Sequence, residues 1–252
     1  MTFDRASWGR LAPSAASLVA GLALWEIVGQ ATSAAFMAPL SGTLVRLVEL
    51  TQSGVLVPEV LSSAGLFLTG MALALLVGAP VGLLLARARV LREALDLYIM
   101  LLYATPMVAL IPFILSLMGF GFGPKVLVVF LFAVFPILYN TVEGARSIRP
   151  ELIEVARSFR SSEWALWREV MVPYTLPFAM TGVRQAIGRG LVGMVAAEFF
   201  LSATGLGQII MTASQNFDTG AMFAAILIIG VFGVALTRLG RAVENRFARW
   251  RN

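Results

Sequence analysis

Ten of the chain's 33 acidic and basic residues fall within the 30 positions from Glu143 to Val172, and the sequence on either side is largely apolar. Placing a charged side chain at the centre of a bilayer costs about 2.5 to 3.5 kcal/mol, so this island cannot lie in hydrocarbon. It must sit in water, between apolar runs that seek lipid. The rest of the composition agrees. Of 252 residues, 59% are hydrophobic and 13% charged, with a mean hydropathy of +0.86, whereas soluble domains carry about 25% charge. The chain reads as an all-α, multi-pass membrane protein forming one domain over residues 1–252.

What is missing removes several kinds of chemistry. Without histidine or cysteine there is no Ser-His-Asp triad, no thiolate nucleophile and no histidine- or cysteine-based metal site, so no catalytic residue and no metal ligand is assigned. The only lysine, Lys125, follows Pro124 and so cannot belong to a Gly-Lys-Ser/Thr phosphate loop. If ATP drives this protein, another chain must bind it. The net charge of +5 could suggest nucleic acid, but the basic residues follow membrane topology and form no aromatic-interleaved patch, so nucleic-acid binding is set aside.

Six apolar runs are long enough to cross a bilayer: 14–36, 61–86, 94–118, 126–142, 175–201 and 219–239. The first has the basic start and small residues near Ser33 to Ala35 of a signal peptide, but it is long, carries Glu26 and precedes further spans, so it reads as a transmembrane helix. Between the first two spans, Leu44, Leu47 and Val48 at helical spacing, with Arg46 and Glu49 opposite, suggest an amphipathic helix at the membrane surface. Gly78 and Gly82 form a small-xxx-small pair that permits close helix contact. Pro106, Pro112 and Pro136 each free a carbonyl inside a span, which fits either kinked packing or a water-lined path. The segment 202–218 is polar and reads as a loop. Six spans put both termini on one side of the membrane. Fifteen of the 19 basic residues fall on that side, which the positive-inside rule makes cytoplasmic. The N-terminal segment 1–13, the island 143–173 and the tail 240–252 are then cytoplasmic.

Within the island, Pro150 suits the first position of a helix, with Glu151 and Glu154 near its positive end. Leu152, Val155, Ala156 and Phe159 share one face. Ser161 and Ser162 can cap a second helix whose apolar stripe is Trp164, Trp167 and Met171, and Pro173 with Pro177 should stop it and redirect the chain into the fifth span. A helix-turn-helix of this kind suits either a docking knob for a cytoplasmic partner or simple packing against the helix ends.

The segment Glu154-Val155-Ala156, followed at the expected spacing by Val170, Val172 and Pro173, resembles the coupling loop of ABC importer permeases. That loop has the form Glu-Ala-Ala, three residues, Gly, nine residues, Ile, one residue, Leu-Pro. Arg160 stands where the family has glycine. The likeness to the nitrate/sulfonate/taurine-type permeases extends to Trp25-Glu26, Pro39, Gly78 to Gly82, Thr105-Pro106, Ile111-Pro112, Phe135-Pro136-Ile137 to Asn140, Gly182-Val183-Arg184, Ala197-Glu198 and Gly205-Leu206-Gly207. The resemblance implies a type I importer permease fold: six transmembrane helices, with the coupling loop between the fourth and fifth. It also implies a homodimer of permeases, cytoplasmic ATPase subunits holding ATP and Mg, and a periplasmic binding protein that delivers a small solute. Glu151, Glu154, Ala156, Phe159, Arg160, Trp164, Trp167 and Pro173 would meet the ATPase, and this chain would hydrolyse nothing itself.

Charges inside the spans are costly and mark function or interhelical bonds. Arg184 reads as snorkelling to the cytoplasmic surface. Glu26 reads as a structural hydrogen bond, and Glu198 as a gate, an interhelical bond or a pathway contact. Arg189 is the candidate to meet an anionic solute, with Thr105, Pro106 and Glu198 as further candidates for the translocation pathway. An ion-coupled carrier or channel using Glu26 and Glu198 is the alternative reading.

Overall fold

The computed structural model describes residues 5–201 and 204–248, where all regular elements are helical. They are α1 (Arg5–Ala31), α2 (Leu40–Gln52), α3 (Leu56–Arg87), α4 (Arg89–Ala104), α5 (Ile111–Met118), α6 (Phe122–Arg146), α7 (Pro150–Ser158), α8 (Glu163–Leu166), α9 (Val172–Leu201), α10 (Leu206–Gln215) and α11 (Thr219–Ala248). Residues 1–4 of the expected N-terminal segment and 249–252 of the tail lie outside the described residues.

The bundle is built around α6, whose apolar residues continue round most of its circumference, as a helix enclosed by others requires. It packs between α3 and α9. Leu66 and Phe67 of α3, Val126 and Val129 of α6, and Ile187 and Met194 of α9 meet in one buried cluster. Two of the glycines predicted for close packing explain how tightly α3 approaches. A Cβ at Gly78 would stand 3.1 Å from the Val134 carbonyl oxygen, and one at Gly82 would stand 2.8 Å from Thr141 Cβ. The outer helices α2, α10 and α11 pack beside this three-helix core.

Three helical stretches among the described residues, Leu56–Arg87, Phe122–Arg146 and Thr219–Ala242, are long and apolar enough to cross a membrane. The expected third span, 94–118, is not one kinked helix. It breaks between Ala104 and Met107 into two pieces bent by 92°, because Thr105 and Pro106 are extended and Pro106 cannot continue a helix. Pro112 causes no kink, since it lies in the first turn of α5, where its missing amide costs nothing. The expected fifth span is α9, which carries Arg184, Arg189 and Glu198. At 30 residues it is about 45 Å long, enough to cross a hydrocarbon core of about 30 Å.

Two further expectations are corrected. The polar segment 202–218 contains the helix α10 rather than a loop alone. Pro173 and Pro177 do not stop the island's second helix: α8 runs through a π turn, Trp167–Met171, directly into α9. Pro173 has no amide to bond back into the preceding turn, and the π turn immediately before it accommodates that missing bond.

Candidate coupling loop and translocation site

The island forms two helices joined by a tight turn. Ser162 caps α8 by accepting a hydrogen bond from the Ala165 amide at 3.2 Å, the role expected of it. At the base of the island the Tyr174 hydroxyl donates to the Ser147 carbonyl at 3.1 Å, fastening the start of α9 to the end of α6. The predicted apolar stripes divide. Leu152, Ala156 and Trp167 are half-buried and Met171 is buried, so they pack inward. Val155, Phe159 and Trp164 face out, with Phe159 81% and Trp164 75% exposed. Large apolar groups left open on a charged island are the mark of an interaction surface. Glu151 and Glu154 are exposed on α7 and Pro173 is exposed at the start of α9. Arg87, at the end of α3, donates to both carboxylate oxygens of Glu163 at 3.0 and 3.1 Å.

At the other end of α4, the break at Thr105 opens a cavity of about 240 Å³ whose walls include Tyr103, Thr105, Met107, Phe135, Arg189 and Val192. Arg189 donates to the Tyr103 hydroxyl at 2.7 Å, and its guanidinium lies 4.6 Å from the centre of the Tyr103 ring. Tyr103 in turn stacks on Tyr139. The arginine is held by an aromatic face and one neutral hydroxyl, and among the described residues it has no carboxylate partner. Arg189 and Thr105 are thus brought together beside Pro106. Glu198 is not part of that cavity.

Glu198 is buried at the opposite end of α9, 1% exposed. It accepts from the Ser63 hydroxyl at 2.6 Å and from the Gly207 amide at 2.7 Å. Ser63 accepts from the Leu206 amide at 2.8 Å, and Glu59 accepts from the Gly205 amide. Three successive orphan amides at the start of α10 are therefore satisfied by two carboxylates and a hydroxyl, the natural partners of a helix N-terminus. Gly205 is required here: its φ is +104°, and a side chain would collide with the Glu198 carboxylate.

Glu26 is engaged in the same manner. Its carboxylate accepts from the Ser41 amide at 2.9 Å, the Ser41 hydroxyl at 2.7 Å and the Gln30 amide group at 2.7 Å, while Trp25 donates to the Ala38 carbonyl at 3.1 Å. The Trp25-Glu26 pair fixes the corner between α1 and α2. Arg184 forms an ion pair with Glu244 of α11 at 2.8 Å. A carrier would need Glu26 and Glu198 available to ions, and both are committed to backbone and hydroxyl donors. Sequence reasoning overlooked Tyr103, Tyr139, Glu59 and Ser63. Glu59 and Ser63 stand four residues apart at the start of a span, a one-face spacing that could have flagged the last two.

The model of a protein family, the binding-protein-dependent transport system inner membrane components, matches residues 78–249, more than half of the chain. The chain belongs to that family. The permease is 29% identical over 234 residues to a probable ABC transporter permease protein of Brucella melitensis, with 93% of this chain and 95% of the relative covered. It is 30% identical over 237 residues to a putative aliphatic sulfonates transport permease protein of Bacillus subtilis, covering 92% and 84% respectively. Its fold resembles a chain of the inward-facing MetNI methionine ABC transporter, with a TM-score of 0.67 at 18% identity, covering 76% of this chain and 95% of that one. The permease is an integral membrane protein of the type I importer fold and the transport subunit of an ABC system.

With the family established, the turn at Arg160 has a physical explanation. Arg160 has φ +54°. Its amide bonds the Arg157 carbonyl at 2.8 Å, and the Ser161 amide bonds the Ala156 carbonyl at 3.1 Å. This is the Schellman closure of α7, with Arg160 at the left-handed position that glycine normally fills. The family's glycine is thus a helix terminator, and arginine keeps the turn while accepting a strained backbone.

Proposed function

We propose that two copies of this permease form the translocation pathway of an importer for a small anion, such as a sulfonate, taurine, nitrate or an organic acid. A periplasmic binding protein delivers the solute. Cytoplasmic ATPase subunits carrying ATP and Mg dock on the island 143–173, and hydrolysis takes place on those subunits alone. The chain crosses the bacterial inner membrane six times with both termini in the cytoplasm. The sulfonate relative supports an anionic solute, but the observation that carries the reading is Arg189: a cation on a cavity wall, with no carboxylate partner among the described residues, beside a helix break.

The route from ATP to the cavity is short. The exposed Val155, Phe159 and Trp164 offer the ATPase an apolar knob, with Glu151 and Glu154 alongside. Because α8 continues into α9, a displacement at Trp164 travels along one helix to Arg189. There it changes the contact with Tyr103 and hence the angle at Thr105-Pro106, alternating access between the two sides. The test is ATP-dependent uptake by proteoliposomes holding the permease, its ATPase and the binding protein. Arg189→Gln should abolish uptake while assembly and basal ATP hydrolysis persist; undiminished uptake would sink the assignment.

A further inference from the structure

A second groove lies between α9 and α11, away from the Arg189 cavity, with a volume of about 490 Å³. Ile187 and Leu191 of α9 and Ile229 and Val234 of α11 form its walls. Gly188 and Gly230 also line it, and a Cβ added at either position would meet nothing within 4 Å. The trough is therefore open because two helices present hydrogen where a side chain would otherwise fill the space. At one end its lining changes abruptly to Thr237, Arg238 and Arg241. The two arginines are three residues apart, on one face of α11. Neither forms an ion pair among the described residues, and Glu244, one turn further along α11, is already held by Arg184 at 2.8 Å.

We infer that this groove is a binding site for one anionic phospholipid of the cytoplasmic leaflet, its acyl chain in the glycine-lined trough and its phosphate on Arg238 and Arg241. An apolar channel between two long helices suits a hydrocarbon chain. Two guanidinium forks at its mouth match phosphate oxygens, which arginine engages through paired hydrogen bonds. Basic pockets between transmembrane helices on the cytoplasmic side select anionic headgroups for the same reason. The lipid bridges α9, the helix that leads from the island to Arg189, and α11. The assignment to the cytoplasmic leaflet rests on the orientation proposed above, in which the C-terminal end of α11 is cytoplasmic.

Native mass spectrometry of the full-length chain, titrated with phosphatidylglycerol or with phosphatidylcholine of the same acyl chains, tests the site. Phosphatidylglycerol should be retained in preference to phosphatidylcholine. Arg238→Gln with Arg241→Gln should weaken its binding by about 30-fold, from about fivefold per arginine. Gly188→Leu keeps both arginines, fills the trough and places a better helix former in α9. It should lose the lipid as well, with no fall in melting temperature. Equal binding of the two lipids, or retention of phosphatidylglycerol by either variant, overturns the proposal. Lipid binding in detergent is independent of sidedness, so an error in orientation would appear only in the labelling of a cysteine at position 241 from the wrong side of the membrane.

Discussion

Replacing Glu198 by alanine isolates the junction that ties α3, α9 and α10 together. The carboxylate accepts from the Ser63 hydroxyl at 2.6 Å and the Gly207 amide at 2.7 Å, and it is 1% exposed, so water cannot replace it without opening the bundle. A buried donor stripped of its acceptor costs about 1 to 3 kcal/mol. Taking about 2 kcal/mol for the Gly207 amide, its exchange-competent opening becomes about 30-fold more frequent. Hydrogen exchange of the permease in nanodiscs, read on peptides spanning residues 204–215, measures this directly. Gly207 should exchange faster, Leu206 should follow because its acceptor Ser63 has lost its own anchor, and Gly205, held by Glu59, should change least. Glu198→Gln retains one acceptor and should fall between wild type and alanine. If exchange at Gly207 is unchanged in Glu198→Ala, the carboxylate does not hold α10 and the reasoning fails.

Other substitutions follow from the same packing. Arg160→Gly relieves a left-handed residue that costs roughly 1 to 2 kcal/mol but adds unfolded-state freedom of about 0.5 to 1 kcal/mol. The net gain is about 0 to 1.5 kcal/mol, visible as a small rise in melting temperature with transport retained. Arg160→Val, β-branched at positive φ, should lower it. Gly82→Leu drives a side chain into Thr141 and the Leu138 carbonyl, and overpacking of this kind costs about 1 to 3 kcal/mol or more; the variant should lose thermal stability in detergent. Glu26→Ala removes the acceptor of the Ser41 amide near the start of α2, a loss of about 0.5 to 2 kcal/mol. Protease or exchange measurements should localise it to residues 33–45. Glu163→Ala breaks a solvent-exposed pair with Arg87, and such pairs contribute about 0 to 1 kcal/mol, so stability should barely change.

The membrane class, the helix α2 and the island's two helices were legible because each rests on local pattern: apolar length, helical spacing and the caps at Pro150 and Ser162. Gly78 and Gly82 were legible because a small residue every fourth position has one main use between helices. The angle at Thr105-Pro106 was not, since proline announces a break but not its size, and the 92° bend comes from the extended backbone that Thr105 and Pro106 adopt. α10 escaped notice because it is only ten residues long and its start is held in part by Glu59 and Ser63, 146 and 143 residues away from the amides they accept. The partner of Arg184 was not legible either, because Glu244 lies 60 residues away. Charges within α9 looked like expensive exceptions in sequence, yet each has a specific partner on another helix.

The central claim is that the island is where the permease meets its ATPase. The natural chain contains no cysteine, so a single cysteine at position 164 reports on one place only. Expressed with its ATPase and treated with a short thiol-to-amine cross-linker, Trp164→Cys should join the ATPase subunit and do so differently with and without ATP, while Phe113→Cys on α5 should not. Failure of position 164 to cross-link in a complex that still transports would contradict the account.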